Sequence, residues 1–325
     1  MKTNIAILGA GDIAGKMALT VAEMPEIELY AVASRDLERA KAFAGVHRFQ
    51  KAYGSYEQML SDEGVDLVYI ATPHSHHYEH AMMCLDHGKH ALCEKAFTAN
   101  AAQARRLLAR AEEQNLLVTE ALWTRFMPLS MKINEVLASG AIGTPTFLTA
   151  NLGYLIADVE RVKNPALAGG ALLDVGVYPI NFASMVFGTD VASVSAEAVM
   201  TDLGVDAMNN ITMRFADGKV AFLYSSTTAQ TDRQGVVYGD RGHIVVDNIN
   251  NPERIRVFSL DREEVAGYEA PEQISGYEYE VRAAVEAIRA GRTECPEMPH
   301  SETLRIMELM DGLRASWGMK YPFEE

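Results

Sequence analysis

Short apolar runs alternate with helical patterns along the first 120 residues of the chain. The helical segments have apolar residues at spacings of three and four and mostly polar outer faces. The apolar runs have the length of buried strands and fall at residues 4–9, 28–34, 65–72, 90–95 and 116–122. Strands that alternate with helices form a parallel sheet with right-handed crossovers. The pattern predicts a doubly wound α/β domain of the Rossmann type over residues 1–122.

Residues 123–325 have a different pattern, in which helices and strands occur in separate runs. This predicts an α+β domain with a mainly antiparallel open sheet. Both alternating sets of side chains along 209–226 are apolar, so both faces of the sheet should be covered. We expect helices on one face and a second subunit, in a homodimer or larger homo-oligomer, on the other. Helices are predicted near 128–140, 171–187, 277–290 and 301–317, and strands near 144–155, 192–200, 209–218, 219–230, 233–242, 243–248 and 254–260.

Composition narrows the class of protein. The formal net charge of −15 argues against a nucleic-acid partner, because phosphate binding requires clustered lysine and arginine. No apolar run reaches the roughly 18 residues of a membrane span, and glycines in the N-terminal apolar run argue against a signal peptide. The three cysteines form no paired framework and favour a reducing, cytoplasmic location.

A glycine-rich turn directly follows the first predicted strand. Gly9, Gly11 and Ala14 form the pattern G-x-G-x-x-A ahead of a helix. Gly9 allows a tight turn, Gly11 lets the backbone approach a pyrophosphate, and Ala14 allows close helix–sheet packing. Asp12 and Ile13 begin the helix, whose N-terminal amides and positive dipole favour an anion. The pattern predicts a dinucleotide-binding turn, and an ordinary strand–helix turn is the alternative.

The second predicted strand ends in Ala33, Ser34 and Arg35 rather than in an acidic residue. An acidic side chain at this place binds the ribose 2′-hydroxyl of NAD. A hydroxyl and a guanidinium suit a 2′-phosphate instead, because arginine binds phosphate through a planar pair of donors. We therefore expect NADP as the cofactor, with NAD as the other possibility. Asp36 is expected to cap the next helix.

Two further segments contain residues suited to proton transfer. Glu94 and Lys95 stand at the carboxyl end of the strand 90–95, the edge where open α/β sheets bind ligands. Its position alone does not distinguish a functional Lys95 from an ordinary surface charge. Asp174 and Tyr178 are four residues apart, so they share one face of the helix predicted after a pair of glycines. The glycines would let another group approach the start of that helix, and a capping pair followed by a core Asp and Tyr is the alternative.

These motifs together resemble one family. They are the dinucleotide turn, T-P-H-x-x-H at 72–77, E-K at 94–95 and G-G-x-x-x-D-x-G-x-Y at 169–178. The set resembles the glucose–fructose oxidoreductase and inositol dehydrogenase (Gfo/Idh/MocA) family over essentially the whole chain. The segments 120–128 and 169–180 are similar to its dimeric dihydrodiol dehydrogenase branch, which includes NADP-dependent D-xylose dehydrogenases.

The resemblance implies that Lys95 is the catalytic lysine of an E-K-P motif and that Asp174 is the motif's aspartate. Tyr178 takes a place that is histidine in most of the family and tyrosine in the dihydrodiol branch. The chain departs from the motif at Ala96, where the family has proline. We expect the turn that presents Lys95 to be less rigidly preset for that reason.

The residues expected at the cofactor come from both predicted domains. The resemblance implies that Trp123, Arg125 and Phe126 lie beside the nicotinamide and the substrate. The nicotinamide ribose should pass the carboxyl edge of the sheet after the strand 65–72. The predicted cofactor-binding set is Gly9, Gly11, Asp12, Ile13, Ala14, Ser34, Arg35, Thr72, Pro73, His74, His77, Glu94, Lys95, Trp123 and Arg125.

Hydride transfer from an alcohol carbon to nicotinamide needs an acceptor for the hydroxyl proton. We expect Tyr178 to be this acid–base group, because the ammonium of Lys95 would lower the tyrosine's pKa from its reference value of about 10. Asp174 would orient the substrate or the lysine. The predicted function is an NADP-dependent oxidoreductase of a sugar, a cyclic diol or a related polyhydroxy or carbonyl small molecule. A dicarbonyl or keto-sugar reductase and a non-catalytic dinucleotide-binding sensor are the alternatives.

Four of the nine histidines lie in TPHSHHYEH at residues 72–80. In isolation the cluster suggests zinc, since His76 or His77 shares a helical face with His80. Glu79 is the only acid in the run, and a full ligand set from one helical turn should be badly splayed. His74 is expected at the rim of the cofactor cleft, and His77 is expected to pack or cap. His76 and His80 are interpreted as surface residues, so no metal site is predicted.

Overall fold

The computed structural model describes residues 2–324 and contains two compact units. The first unit comprises Met1–Trp123 and Gln273–Met307. The second comprises Thr124–Glu272 and Glu308–Glu325. The chain therefore returns to the first unit after residue 272, a crossing that the two predicted ranges did not contain.

A six-stranded parallel sheet forms the centre of the first unit, and the predicted α/β fold is confirmed. The strands have the spatial order 3-2-1-4-5-6, which reverses between the first and the fourth. Doubly wound sheets bind ligands at this point of reversal. The strands are β1 Thr3–Leu8, β2 Ile27–Ala33, β3 Lys51–Tyr53, β4 Leu67–Ile70, β5 His90–Glu94 and β6 Val118–Ala121. The helices between them are α1 Asp12–Ala22, α2 Leu37–His47, α3 Tyr56–Leu60, α4 His74–Asp86 and α5 Ala101–Gln114.

The strand β3 was absent from the sequence prediction. It has only three residues, with the sequence KAY, and none of them is fully buried. An edge strand of this kind lacks the apolar run that identifies β1 and β4, whose residues are almost all buried. Its parallel pairing with β2 decides its conformation instead.

The second unit contains an eight-stranded sheet with the order β14-β13-β12-β11-β7-β10-β9-β8. Neighbouring strands are antiparallel except β7 and β10, which confirms the predicted mainly antiparallel sheet. The strands are β7 Pro145–Gly153, β8 Val191–Met200, β9 Asp206–Phe215, β10 Val220–Ser226, β11 Gly235–Gly239, β12 Gly242–Asp247, β13 Arg254–Ser259 and β14 Glu264–Glu269. The edge strand β14 is largely exposed and was not predicted.

Helices pack on one face of this sheet. They are α6 Pro128–Ala138 and α8 Val177–Phe187, and the short helix α7 Glu160–Lys163 lies between β7 and α8 in the chain. After the sheet, α9 Tyr277–Arg289 belongs to the first unit, where it packs on α1 and β5. The last helix, α10 His300–Ser316, contains one of the points where the chain is divided between the units.

The prediction of a regular α-helix over 171–187 is wrong for its first turn. Residues Leu172–Gly176 form a π-helix, and the α-helix begins only at Val177. In the described residues, one helical stretch, Pro165–Phe187, is long and apolar enough to cross a membrane, with a mean hydropathy of 1.4 in its most apolar window. Of that window, 89% is buried inside the protein, as in a core helix.

Aromatic side chains cross five strands on the other face of the second sheet. The rings of neighbouring strands lie 6.2, 4.4, 5.8 and 4.9 Å apart between centroids. Cross-strand aromatic pairs of this kind stabilise a sheet. Phe222 is 47% exposed and Phe147 is 36% exposed. We name this row the aromatic ladder, and it consists of Phe222, Phe147, Tyr238, His243 and Phe258.

Candidate functional site

The turn between β1 and α1 has the geometry of a phosphate-binding turn. Gly9 has a φ of +109°, and a Cβ there would lie 2.8 Å from the carbonyl oxygen of Ala71, so glycine is required. Gly11 is the N-cap of α1, and a Cβ there would meet no protein atom within 4 Å. The open space lies before the first-turn amides at Asp12 and Ile13, which have no partners within the helix. Ala14 is fully buried, which fits close helix–sheet packing.

Arginines stand beside this turn at the end of β2. Ser34 is buried and accepts a hydrogen bond from the amide of Asp36 at 3.4 Å, whereas Arg35 is exposed. Asp36 caps α2, as predicted. The sequence analysis missed Arg39, whose Nη2 donates to the carbonyl oxygen of Ala10 in the turn at 2.8 Å. Arg39 lies in the first turn of α2, whereas Arg35 precedes the N-cap of that helix, so no helical spacing joins the two and no motif marked Arg39.

His77 connects the loop after β4 with the loop after β5. Its Nε2 lies 2.7 Å from the carbonyl oxygen of Thr72, and its Nδ1 lies 2.8 Å from that of Ala96. The ring is fully buried, and burial lowers the pKa of His77 to about 4 despite the two carbonyls, which raise it. His77 is therefore a neutral packing residue at neutral pH. Thr72 and Pro73 are half-buried in the loop that it holds.

Among the other histidines of α4, His80 differs from its predicted surroundings. His80 is buried, so its interpretation as a surface residue is wrong. Its Nδ1 lies 3.0 Å from the hydroxyl of Thr72, and burial lowers the pKa of His80 to about 4. His74 is buried too, with its ring edge-on to His77 at 5.6 Å between centroids. His76 is half-buried.

Lys95 follows β5 directly and is partly exposed. The Lys95–Ala96 peptide bond is cis. The amide of Phe97 donates to Oε1 of the buried Glu120 at 3.1 Å, and His77 contacts the carbonyl of Ala96. Contacts from two sides thus fix the turn that presents Lys95, although the family's proline is absent from it. Glu120 was missed because nothing in its sequence neighbourhood separates it from an ordinary strand residue.

Glu94 does not project freely from the edge of the sheet. It is buried, and it accepts hydrogen bonds from the hydroxyl of Tyr69 and, at 3.2 Å, from the amide of Lys95. Glu280 of α9 is also fully buried. Burial, and then the negative charge of Glu94, raise the pKa of Glu280 well above its ordinary value. No motif marks Glu280, which in the sequence is one of several acids on an amphipathic helix.

The glycine pair of the second unit accommodates the protein's own groups. A Cβ on Gly169 would lie 2.3 Å from the carbonyl oxygen of Val162. Gly170 has a φ of +113°, and a Cβ there would lie 2.3 Å from Oδ1 of Asp206. Asp206 also accepts from the amide of Leu172 at 2.9 Å, and burial raises its pKa to about 6. The groups that approach the start of the helix beside the two glycines therefore belong to the protein itself.

Asp174 and Tyr178 lie on either side of the junction between the π-helix and α8. Both are buried. The carboxylate of Asp174 forms an ion pair with Nη1 of Arg161, a residue of α7 that the sequence analysis missed. Arg161 has no motif around it that could have identified it.

The predicted junction residues divide between the two units. Trp123 belongs to the first, where it stacks on Tyr277 at 4.2 Å between ring centroids. Arg125 belongs to the second, where its Nε donates to Oδ1 of Asn181 at 2.7 Å. Phe126 is buried in the second unit. Arg125 is thus anchored to α8.

A parallel doubly wound sheet, an open glycine turn before a helix and a lysine at the carboxyl end of β5 define a dinucleotide-binding enzyme. Residues 3–122 match the model of an oxidoreductase family with an NAD-binding Rossmann fold, and residues 130–245 match the GFO/IDH/MocA C-terminal domain. The chain belongs to the Gfo/Idh/MocA oxidoreductase family and is a dehydrogenase or reductase.

Relatives resemble the chain over nearly its full length. Trans-1,2-dihydrobenzene-1,2-diol dehydrogenase of Xenopus tropicalis is 33% identical over 99% of this chain and 100% of its own. A 3-ketoreductase from Actinomadura kijaniata, in complex with NADP and TDP-benzene, is 26% identical with a TM-score of 0.88, covering 97% of this chain and 98% of its own. Aldose-aldose oxidoreductase from Caulobacter crescentus shares the fold, with a TM-score of 0.87, 23% identity and 97% coverage of both chains.

Gly11→Val should abolish tight dinucleotide binding while leaving the fold intact. The new side chain meets no protein atom through its Cβ, but it fills the space where the pyrophosphate would approach. We expect the Kd for NADP to rise about 100-fold or more, which corresponds to about 2.7 kcal/mol. Unfolding of the free protein should change by no more than about 1 kcal/mol, the scale of an N-cap effect.

Gly15→Ala in the same helix is the matched control. Its Cβ would make an ordinary contact 3.6 Å from Nε2 of His47. Fluorescence titration and thermal unfolding of both variants separate binding from folding. Native affinity in Gly11→Val would mean that this turn does not hold the pyrophosphate.

Proposed function

We propose that the protein is an NADP-dependent dehydrogenase of a polyhydroxy small molecule, either a cyclic diol or an aldose oxidised at C1. The main observation in support is Lys95, held at the ligand-binding edge of a dinucleotide-binding sheet by His77 and Glu120. The names of the full-length relatives support a diol as the substrate class. The NADP in the ketoreductase complex supports the cofactor.

We further propose that Tyr178 acts as a phenolate, which the Lys95 ammonium stabilises, and that it takes the proton of the substrate hydroxyl to become the neutral phenol. Bound NADP would accept the hydride from the carbinol carbon. Both residues must then reach the same substrate oxygen in the active enzyme. Variants of the ketoreductase with a lysine changed to alanine and with a tyrosine changed to phenylalanine have been crystallised with NADP.

Asp174 has a positioning role in this proposal. Its carboxylate is buried and paired with Arg161, so it is already engaged within the second unit. A buried charge that keeps its partner is stable, whereas a lone buried charge is costly. We propose that this pair fixes the start of the helical segment from which Tyr178 projects.

A panel of aldoses, inositols and cyclic diols with NADP, followed at the absorbance of reduced nicotinamide, tests the proposal. With the best substrate, we expect Lys95→Met and Tyr178→Phe each to lower kcat by roughly 10²–10⁴, the usual scale of acid–base catalysis. The Kd for NADP should stay within a few-fold for Tyr178→Phe. Lys132→Met and Tyr268→Phe remove the same groups from α6 and β14 and should behave as the native chain.

Unchanged kcat in Tyr178→Phe would remove Tyr178 from the proton transfer, and the same result in Lys95→Met would remove the lysine. Turnover only in the opposite direction, with NADPH and a dicarbonyl or keto-sugar, would favour the second candidate function. That candidate, a reductase, is supported by the likeness to the 3-ketoreductase.

We propose that Arg35 and Ser34 select NADP by binding the 2′-phosphate, with Arg39 as a second guanidinium. Arg35 is exposed and has no acidic neighbour in sequence before it. Burial raises the pKa of Tyr56, and the charges of Arg35 and Arg39 both lower it, so both guanidinium groups act on the same side chain. Guanidinium pairs suit a phosphate.

Arg35→Ala should raise the KM for NADP roughly 10- to 100-fold, because a hydrogen bond to a charged group contributes about 1.5–3 kcal/mol. The KM for NAD should hardly change. Arg106→Ala removes an equally exposed guanidinium from α5 and should leave both constants as they are. A preference of the native chain for NAD, by kcat/KM, would contradict the proposed selection.

We propose that the aromatic ladder is covered by a second copy of the chain, which makes the protein a homodimer in solution. An apolar row across five strands is larger than the scattered apolar residues of ordinary surfaces. A two-fold interface brings the same row from both subunits together. We also propose a cytoplasmic location, in which the three buried free thiols stay reduced.

Phe222→Glu should convert the dimer into a monomer in light scattering, because it places two carboxylates in one apolar contact. Leu19→Glu changes a more exposed apolar residue of α1 in the first unit and should leave the mass unchanged. A monomeric mass for the native chain at micromolar concentration would end the proposal.

A further inference from the structure

Three potential metal ligands lie on one face of α4. His76, Glu79 and His80 have the spacing i, i+3 and i+4, which brings side chains together on a helix surface. One ligand atom from each lies within 4.8 Å of the other two. In the part of the chain that the structure describes, they are the one group of histidine, cysteine and acidic side chains gathered this closely.

His80 is oriented before any ligand arrives. Its Nδ1 lies 3.0 Å from the hydroxyl of Thr72, and the ring packs edge-on against Tyr56 at 4.8 Å between centroids. These contacts leave Nε2 as the nitrogen available to a metal ion. Metal-binding histidines usually engage their other ring nitrogen in this way, which fixes the ring and its tautomer.

The other two side chains lie close to this ring. His76 stacks on His80 with 5.5 Å between the ring centroids and an interplanar angle of 26°. The carboxylate Oε2 of Glu79 lies 3.8 Å from Nδ1 of His76. Glu79 is exposed, so its side chain can rotate toward the two imidazoles.

We propose that His76, Glu79 and His80 bind one divalent transition-metal ion, with zinc as the best match. Two imidazoles and one carboxylate form a known zinc ligand set, which leaves a fourth position for water. Zinc bonds of about 2.0–2.2 Å place ligand atoms roughly 3.3–3.6 Å apart in a tetrahedron. The present separations need to shorten by little more than 1 Å, on the order of one rotamer adjustment.

The structure changes the expectation that a single helical turn would splay the ligands. His80 was also interpreted as a surface residue, whereas its ring is buried and held by Thr72. An ordinary surface ion pair between His76 and Glu79 is the alternative explanation. It makes no use of His80, and this difference can be measured.

The three proposed metal ligands are distinct from the residues of the proposed reaction, although Thr72, which orients His80, is in the predicted cofactor-binding set. None of the three ligands belongs to the residues proposed to bind the cofactor or to act on the substrate. The three cysteines are buried and unpaired, so they do not offer competing thiolates at the surface. Imidazole and carboxylate ligands favour zinc, nickel or copper over calcium or magnesium.

Calorimetric titration of the chelator-dialysed full-length protein with zinc chloride tests the site. We expect one ion per chain, and we expect cobalt(II) to give the intense visible absorption of a tetrahedral site. His76→Ala and His80→Ala should each weaken zinc binding roughly 100-fold or more, beyond the 10–100-fold effect of removing an outer contact. Glu79→Gln should weaken it as well, since the amide oxygen has no charge.

His87→Ala is the matched control, because it removes an exposed histidine from the C-cap of the same helix. It should bind zinc as the native chain does, and so should Lys95→Met and Tyr178→Phe, whatever their activity. Thermal unfolding checks each variant, and the half-buried His76 is decisive if the change at buried His80 unfolds the protein. No zinc binding below millimolar concentration, or binding unaffected by the changes at His76, Glu79 and His80, would overturn the proposal.

Discussion

The neutral ring of His77, fixed between two backbone carbonyls, is the contact on which the first unit's site depends. Thr72 and Ala96 belong to loops after neighbouring strands, and Ala96 lies 19 residues beyond the histidine. A neutral imidazole has one N–H, so it donates to one of the two carbonyls, and its loss would leave that carbonyl without a donor in a fully buried place. Lys95 immediately precedes Ala96, so the histidine determines where the lysine stands. Pairing of the strands alone would leave that loop free to move.

Buried acids provide the second support of the same region. Glu120 fixes the amide of Phe97, and Glu94 is held by Tyr69. Glu280 cannot ionise easily beside Glu94, because two carboxylates in an apolar interior repel each other. Burial, together with the neighbouring Glu94, therefore favours the protonated form of Glu280. The buried polar groups of this unit thus hold the loop that contains Lys95 in place.

The second unit uses its own groups in the same way. The positive φ of Gly170 admits the carboxylate of Asp206, which binds the first amide of the π-helix. Tyr321, close to the C-terminus, donates to the carbonyl of Gly169 at 2.8 Å. The segment that contains Asp174 and Tyr178 is therefore held at its start by residues distant in sequence, while helices cover one face of the sheet and the aromatic ladder occupies the other.

The sequence by itself predicted both sheets and the dinucleotide turn, because apolar periodicity and glycine spacing are local properties. The roles of Lys95, Asp174 and Tyr178 came from the resemblance to the family, and they stay predictions. The sequence missed β3 and β14, which lie at sheet edges and have too little buried surface to leave a pattern. Only the tertiary structure decided the partners of these residues: Arg39 at the turn, Glu120 and His77 at the lysine loop, Arg161 at Asp174 and Thr72 at His80. Such pairs join positions far apart along the chain, and their side chains meet only after the strands have set the distances between them.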